Sequence, residues 1–189
     1  MTGVPPRVRT VGQELIDLDR AVYAAVQATP TPRIDLALAR ISRTADRSVL
    51  WMGVAAALGV SGPRPRRAAL IGLGAIAVTS ATVNLLVKPV PKRVRPSLEG
   101  SVRTHGVKMP ASHSWPSGHS ASAFAFSTAV GSEMPELDSL LRLAATVVAY
   151  SRIHTGVHYP GDVIAGTLIG AGMGTAAHLV ARRRPGPRR

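Results

Sequence analysis

Apolar and polar residues follow two patterns along this chain: helical spacing near its start and long uncharged runs afterwards. Within residues 11–28, apolar side chains recur every three or four positions with charges between them, which predicts an amphipathic helix too charged to cross a membrane. Pro30 and Pro32 interrupt this pattern, and a second helix of the same kind is predicted over 34–45. We expect residues 1–47 to lie on a membrane surface or over a helical bundle.

The uncharged runs predict membrane-spanning helices. The run 68–87 has 20 consecutive uncharged residues, the length that crosses a bilayer. The run 48–62 has only 15, so we expect it to recruit part of the preceding helix. Further apolar helices are predicted at 117–132, 140–153 and 161–181. The pattern therefore predicts an all-α integral membrane bundle of about five spans plus N-terminal amphipathic helices.

Composition narrows the function classes. The 189 residues suit one domain, which we divide into interfacial helices at 1–47, a transmembrane domain at 48–182 and a basic tail at 183–189. The absence of cysteine excludes disulfides and thiol catalysis. The formal net charge of +13 comes without the aromatic-interleaved basic stripe or the motifs of nucleic-acid-binding proteins. We therefore expect anionic membrane lipids as partners and no nucleic acid.

Three clusters of polar residues lie at the ends of the apolar runs. They comprise, in chain order, Lys88 and Arg95, then Ser117, Gly118 and His119, then Arg152, His158 and Asp162. The Lys and Arg residues are positive charges, and guanidinium groups offer paired donors that match phosphate oxygens. Ser117 and Gly118 stand where an apolar helix begins, and backbone N–H groups at a helix start bind anions. These groups predict an anion site where the helices meet.

The other three residues supply proton transfer and nucleophilic attack. His119 and His158 carry the side chain that gains or loses a proton near neutral pH, as a general acid and a nucleophile require. Asp162 follows His158 by four positions, close enough to accept a hydrogen bond from one ring nitrogen and leave the other exposed. The sequence therefore predicts a histidine nucleophile oriented by a carboxylate.

Together, the three clusters resemble the signature of the type 2 phosphatidic acid phosphatase (PAP2) superfamily. Lysine, six residues and Arg-Pro match at 88–96, and Pro-Ser-Gly-His matches at 116–119. Ser-Arg, five residues, His, three residues and Asp match at 151–162. The resemblance covers residues 48–182 and implies a membrane-embedded helical phosphatase.

The resemblance also implies a role for each matched residue. His158 would attack phosphorus to form a phosphohistidine, Asp162 would orient it, and His119 would protonate the leaving oxygen and then activate water. The residues that would hold the phosphoryl oxygens are Lys88, Arg95, Ser117, Gly118 and Arg152. That scheme needs no metal or other cofactor, and the sequence has no dense Asp/Glu cluster of the kind that holds Mg²⁺.

The predicted spans place all three clusters on one membrane face. With residues 1–47 in the cytoplasm, five spans put the site on the cytoplasmic side, whereas six-helix members of the family have an extracytoplasmic site. The abundance of Arg, Ala, Val and Gly indicates a GC-rich bacterial genome, so we expect a multi-pass protein of the bacterial inner membrane. The sequence leaves the oligomeric state open.

Several lipid phosphates fit these residues. Decaprenylphosphoryl-5-phosphoribose, an arabinan precursor of the cell wall, is favoured because a cytoplasmic-facing site and a sugar-phosphate head suit it. Undecaprenyl diphosphate, phosphatidic acid and phosphatidylglycerol phosphate stay open, as do a lipid phosphotransferase and a non-catalytic membrane protein. Vanadium-dependent haloperoxidases share the pocket, but they are soluble and much longer, and the uncharged run ending at Val87 argues against them.

Overall fold

Helices form the regular structure of the described chain. The computed structural model describes residues 10–89, 92–96 and 107–183, and no β-strand occurs within these ranges. The predicted basic tail lies outside them except for Arg183, as do Val90 and Pro91 of the matched segment 88–96. The prediction of an all-α protein is confirmed.

The two predicted amphipathic helices are present at the start of the chain. Helix α1 spans Val11–Ala28 and begins with a capping box, in which the Thr10 hydroxyl accepts from the Gln13 N–H and the Gln13 side chain accepts from the Thr10 N–H. Helix α2 spans Pro32–Thr44, with proline in its first turn. Both predictions are confirmed.

The chain breaks sharply after α2. The expectation that the helix after residue 48 extends into the preceding helix is therefore wrong. A 3-10 turn at Asp46–Ser48 precedes helix α3, Val49–Val60. Arg47 and Ser48 have φ values of 53° and 61°, left-handed conformations that cannot continue a right-handed helix. The 12 residues of α3 therefore extend only about 18 Å.

The rest of the bundle consists of four longer helices. Helix α4 spans Pro63–Ala81 and continues through a π-helical turn at Thr82–Val87. Helices α5, α6 and α7 span Gly118–Glu133, Pro135–His154 and Pro160–Arg183. Among the described helices, two are long and apolar enough by themselves to cross a membrane, the 25 residues Pro63–Val87 and the 24 residues Pro160–Arg183.

Helix α6 begins five residues before the predicted start at Leu140. The proline and acidic side chains within residues 131–139 suggest a turn, but Pro135, Glu136 and Asp138 occupy the first turn of α6 instead. Proline at the first position costs no intrahelical hydrogen bond, and acidic side chains favour the positive end of the helix dipole. The residues that suggested a turn therefore start a helix.

Helix α5 forms the centre of the bundle, buried against α4, α6 and α7. Contact with α7 is made through Gly166, Gly170 and Gly174, whose spacing of four predicts a close-packing face. A Cβ atom at these positions would collide with the backbone carbonyl oxygens of Ser117, which caps α5, and of Ala121 and Ala125 within it. The predicted glycine face is confirmed, and it brings the two backbones into direct contact.

Gly170→Ala should destabilise the protein by roughly 1–3 kcal/mol or more, because the added methyl group collides with backbone atoms of α5. Unlike a side chain, the backbone cannot relieve the collision by changing rotamer. The matched control is Gly172→Ala, on the same helix, where a Cβ atom has nothing within 4 Å. We expect a lowered unfolding temperature in detergent for the first variant and an unchanged one for the second. Equal unfolding temperatures for both would contradict the close contact of α5 and α7.

Candidate active site

Four helix ends meet at one end of the bundle and bring the three polar clusters together. Helix α4 leads to Lys88, α5 begins at Gly118, α6 ends at His154 and α7 begins at Pro160. At the opposite end, near the start of α4, Arg67 pairs with the Glu133 carboxylate of α5 and donates to the Ala181 carbonyl of α7. Consecutive helices therefore run in opposite directions, which places clusters that are remote in sequence on one face.

His158 lies in the loop between α6 and α7 with 1% of its surface exposed. Its Nε2 atom is 3.0 Å from Nη1 of Arg95. Since a guanidinium has no acceptor, Arg95 is the donor and the lone pair is on Nε2, so the ring proton is on Nδ1. Burial, the largest cause, lowers the pKa of His158 to about 3, and the charges of Arg95 and Arg152 add to the effect. The ring is therefore neutral at physiological pH, as a nucleophile requires.

Asp162, at the start of α7, lies on the Nδ1 side of this ring. Its Oδ2 atom is 3.5 Å from Nδ1 of His158, longer than a hydrogen bond of normal geometry. The same Oδ2 accepts from the Ser114 hydroxyl and, at 2.9 Å, from the Tyr159 N–H. Oδ1 accepts from Nη1 of Arg93 at 2.9 Å. The predicted neighbours are therefore brought together, with the carboxylate held in place by three other donors.

The three predicted cations line the same region. Nζ of Lys88 is 3.2 Å from the Ser112 hydroxyl and would be 3.7 Å from a Cβ atom at Gly118. Burial lowers the pKa of Lys88, and the charge of Arg95 lowers it further. The guanidinium of Arg152 is fully buried, and its Nε atom has no hydrogen-bond partner among the described residues. Crowded cations with an unsatisfied donor favour an anion between them.

Ser117 and Gly118 stand at the start of α5, as predicted, but Ser117 acts differently from the expectation. Its hydroxyl caps the helix by accepting from the Ser120 N–H, and its own N–H donates to the Asp162 carbonyl at 2.9 Å. The Ser117 N–H is therefore engaged with α7 rather than directed at an anion. Gly118 begins the first turn, where the positive end of the helix dipole faces Lys88 and the cavity.

His119 has a partner that sequence reasoning missed. Its Nε2 atom is 2.8 Å from Oδ1 of Asp46, which is also 3.6 Å from Nη1 of Arg152. The hydrogen bond with His119 is the largest cause that lowers the pKa of Asp46 below its usual value. Asp46 lies 73 positions before His119, in the break between α2 and α3, so no local spacing indicates this contact.

A cavity of about 180 Å³ opens beside His119 and Lys88. Arg47, Ser48 and Asn84 contribute to its wall and also to that of a larger apolar groove between α3 and α4. The Asn84 side chain donates to the Ser80 carbonyl of its own helix. The polar cavity and the apolar groove are therefore adjacent, as an amphiphilic ligand requires.

No group of three or more His, Asp or Glu side chains able to hold a metal ion occurs among residues 10–89, 92–96 and 107–183. The cluster is instead cationic, with a neutral imidazole at its centre and a second histidine nearby. Such a set of side chains has the chemistry to bind a phosphoryl group and to supply both a nucleophile and a proton donor. The fold and the site thus define a membrane-type helical hydrolase of phosphate esters.

Comparison with known proteins identifies the family. The profile of the PAP2 superfamily matches residues 68–185, more than half of the chain, and the chain belongs to this superfamily. Its members named below are phosphatases, and the activity class of this chain is phosphate-ester hydrolysis.

Two mycobacterial relatives are named decaprenylphosphoryl-5-phosphoribose phosphatase. The protein from Mycobacterium tuberculosis is 32% identical over 166 residues, which cover 85% of this chain and 89% of the relative. The protein from Mycolicibacterium smegmatis is 33% identical over 151 residues, which cover 77% and 79%. The similarity therefore extends over most of both chains.

Two solved structures share the fold. The transmembrane PAP2-type phosphatidylglycerolphosphate phosphatase of Bacillus subtilis superposes with a TM-score of 0.71 at 19% identity, covering 93% of this chain and 90% of that one. LpxE of Aquifex aeolicus superposes with a TM-score of 0.68 at 23% identity, covering 85% and 94%. The predicted membrane phosphatase fold is confirmed.

The low pKa of His158 predicts a pH-dependent stability. Below its ordinary value of 6.5 the unfolded chain binds a proton at this residue, whereas the folded chain does so only near pH 3. The free energy of unfolding should therefore decrease as the pH falls from 7 to 5. His158→Gln should reduce this loss, measured by denaturant unfolding in detergent. The control His113→Gln, at an exposed loop histidine, should behave like the wild type, and an equal loss in all three proteins would contradict the buried neutral ring.

Proposed function

We propose that this protein removes the terminal phosphate of a prenyl-linked lipid through a phosphohistidine at His158. The observation that carries the proposal is the Nε2 lone pair of a buried neutral imidazole directed at Arg95, with Nδ1 on the Asp162 side. A phosphoryl group that accepts hydrogen bonds from Arg95 would lie beside Nε2 of His158. The nucleophile is then aimed at phosphorus by the group that binds the phosphate.

In the first step, Nε2 of His158 forms a bond to phosphorus as the bond from phosphorus to the leaving oxygen breaks. The cations Lys88, Arg95 and Arg152 hold the phosphoryl oxygens, where the loss of one such donor typically costs on the order of 10²–10³ in rate. The leaving oxygen takes a proton from Nε2 of His119, replacing Asp46 as the hydrogen-bond partner of that nitrogen. The dephosphorylated lipid then departs.

In the second step, water attacks the phosphohistidine. His119, neutral after the first step, accepts a proton from that water, and the bond between Nε2 of His158 and phosphorus breaks. Inorganic phosphate leaves, and both histidines return to their starting states. No step requires a metal ion, since the cations carry the electrostatic stabilisation.

For the substrate, we favour decaprenylphosphoryl-5-phosphoribose. The support is the name of the two mycobacterial relatives, which are 32% and 33% identical to this protein over most of each chain. The cavity wall also fits, because it changes from Arg47, Ser48 and Lys88 to the apolar side chains between α3 and α4. The substrate likewise consists of a charged sugar-phosphate head and an apolar prenyl tail. We propose that the enzyme acts on it as a multi-pass protein of the bacterial inner membrane.

The first test of this function is phosphate release by the detergent-purified chain in the presence of EDTA. The substrates are decaprenylphosphoryl-5-phosphoribose, undecaprenyl diphosphate, phosphatidic acid and phosphatidylglycerol phosphate. We expect the first to be cleaved fastest and His158→Ala to abolish release, because no other side chain replaces the nucleophile. His113→Ala serves as the matched control and should retain activity.

Other outcomes would change the proposal. Inhibition by EDTA, or wild-type activity in His158→Ala, would refute the metal-free phosphohistidine route. Faster cleavage of another lipid would change the substrate but not the chemistry. Transfer of labelled phosphate to an added lipid alcohol in place of its release would make the protein a phosphotransferase.

The role of His119 predicts a dependence on the leaving group. An alkoxide needs a proton as it leaves, whereas p-nitrophenolate does not, and general acids typically contribute about 10²–10⁴-fold. His119→Ala should therefore slow the first turnover of the sugar phosphate by this factor and leave the p-nitrophenolate burst from p-nitrophenyl phosphate nearly unchanged. Equal slowing of both first turnovers would show that His119 is not the acid.

A further inference from the structure

Arg93 is outside the matched signature, two positions before Arg95, yet it contacts the candidate site directly. Nη1 donates to Oδ1 of Asp162 at 2.9 Å, and Nη2 pairs with the Asp19 carboxylate of α1. The guanidinium carbon also lies 4.4 Å from the centre of the Tyr159 ring. The side chain is only 25% exposed. Arg93 is thus held by Asp19 of α1 and by Tyr159 and Asp162, which follow His158 in the chain.

These contacts separate Arg93 from the phosphate-binding cations. Both terminal nitrogens face carboxylates, so its charge is compensated before any substrate arrives. Arg152, in contrast, retains an unpartnered buried Nε atom. Arg95 donates to backbone carbonyls and to the His158 ring, which an anion can replace. Arg93 is therefore paired with carboxylates of the protein, whereas Arg95 and Arg152 have donors that an anion can use.

The partner of Arg93 is the carboxylate on which the orientation of His158 depends. Asp162 is fully buried, and an ionised carboxylate away from water needs donors on both oxygens. Ser114 and the Tyr159 N–H satisfy Oδ2, the oxygen that faces His158. Arg93 satisfies Oδ1 and brings the compensating charge. Without Arg93, the carboxylate loses its ion-pair partner and the contact that fixes its rotation.

Helix α1 contacts Arg93 and the two helix ends that flank His158. Asp19 accepts from the Gly161 N–H at 2.6 Å as well as pairing with Arg93. Further along α1, Gln27 donates to the carbonyls of Ile153 and His154, at the end of α6. Other side chains of α1 that are apolar, such as Val11, Leu15 and Leu18, are exposed, which is typical of a helix on a lipid surface. One face of α1 thus braces the end of α6 and the start of α7, on either side of His158.

We propose that Arg93, anchored by Asp19 of α1, is a positioning residue that fixes the Asp162 carboxylate and thereby the ring of His158. The inference rests on the proposed function, because this orientation matters only if His158 attacks phosphorus. It gives the N-terminal amphipathic region a direct part in the active site, beyond the membrane-surface contact that its apolar face predicts.

The test compares kcat and KM of detergent-purified full-length variants on decaprenylphosphoryl-5-phosphoribose, together with inhibition by inorganic phosphate. Arg93→Ala should lower kcat about 10- to 100-fold, the usual loss when a group supporting a functional side chain is removed. KM and the inhibition constant of phosphate should stay near wild type, since Arg93 does not contact the phosphoryl group. Arg93→Lys should restore part of kcat, because one ammonium supplies the charge but does not reproduce two separate terminal donors.

Asp19→Asn tests the anchor without removing the guanidinium, and it should lower kcat by a smaller factor with KM unchanged. The matched control is Arg142→Ala, which removes an exposed arginine paired with Asp138 on α6 and should leave kcat and KM unchanged. If Arg93→Ala alone fails to fold, Arg93→Lys and Asp19→Asn carry the test.

Three results would overturn the inference while the proposed function stands. They are a wild-type kcat in Arg93→Ala, a parallel rise in KM and in the inhibition constant of phosphate, and equal impairment of kcat in the Lys and Ala variants. The second would make Arg93 a phosphate ligand, and the third would give it a merely structural role. Absence of phosphate release by the wild type would instead refute the proposed function and the positioning role with it.

Discussion

The burial of the Asp162 carboxylate is the constraint on which the site depends. An ionised group removed from water is stable only when donors and a compensating charge surround it. Here the donors come from separate parts of the chain: the Ser114 hydroxyl before α5, the Tyr159 N–H beside His158, and the guanidinium of Arg93 after α4. Satisfying one carboxylate therefore requires the three chain segments that carry the polar clusters to meet at one end of the bundle.

The packing of α7 on α5 makes that meeting possible. The glycine face of α7 lets its backbone contact the carbonyl oxygens of α5, and at the end of this contact the Ser117 N–H donates to the Asp162 carbonyl. Small residues provide such close approaches in membranes, where apolar side chains gain nothing by leaving lipid for the bundle interior. Larger side chains such as Leu70 and Leu168 are accordingly exposed on the outer surface.

Much of this arrangement follows from local patterns. The periodicity of α1 and α2, the span ending at Val87 and the glycine face of α7 are each visible within one helix. The spacing of His158 and Asp162 is likewise local, and the structure brings them together. The starts of α3 and α6 were mispredicted, because whether a helix breaks at Arg47 or begins at Pro135 depends on packing as well as on propensity.

The sequence by itself determined which reactive groups the protein carries and at which helix ends they lie, because side-chain chemistry and helix length are properties of the local chain. Only the tertiary structure decided the function of each charge. Arg93 and Arg95 are two positions apart, yet one is neutralised by Asp19 and Asp162 while the other faces the His158 ring. Which charged groups interact depends on their distance in space, and the packing of helices that are remote in sequence sets those distances.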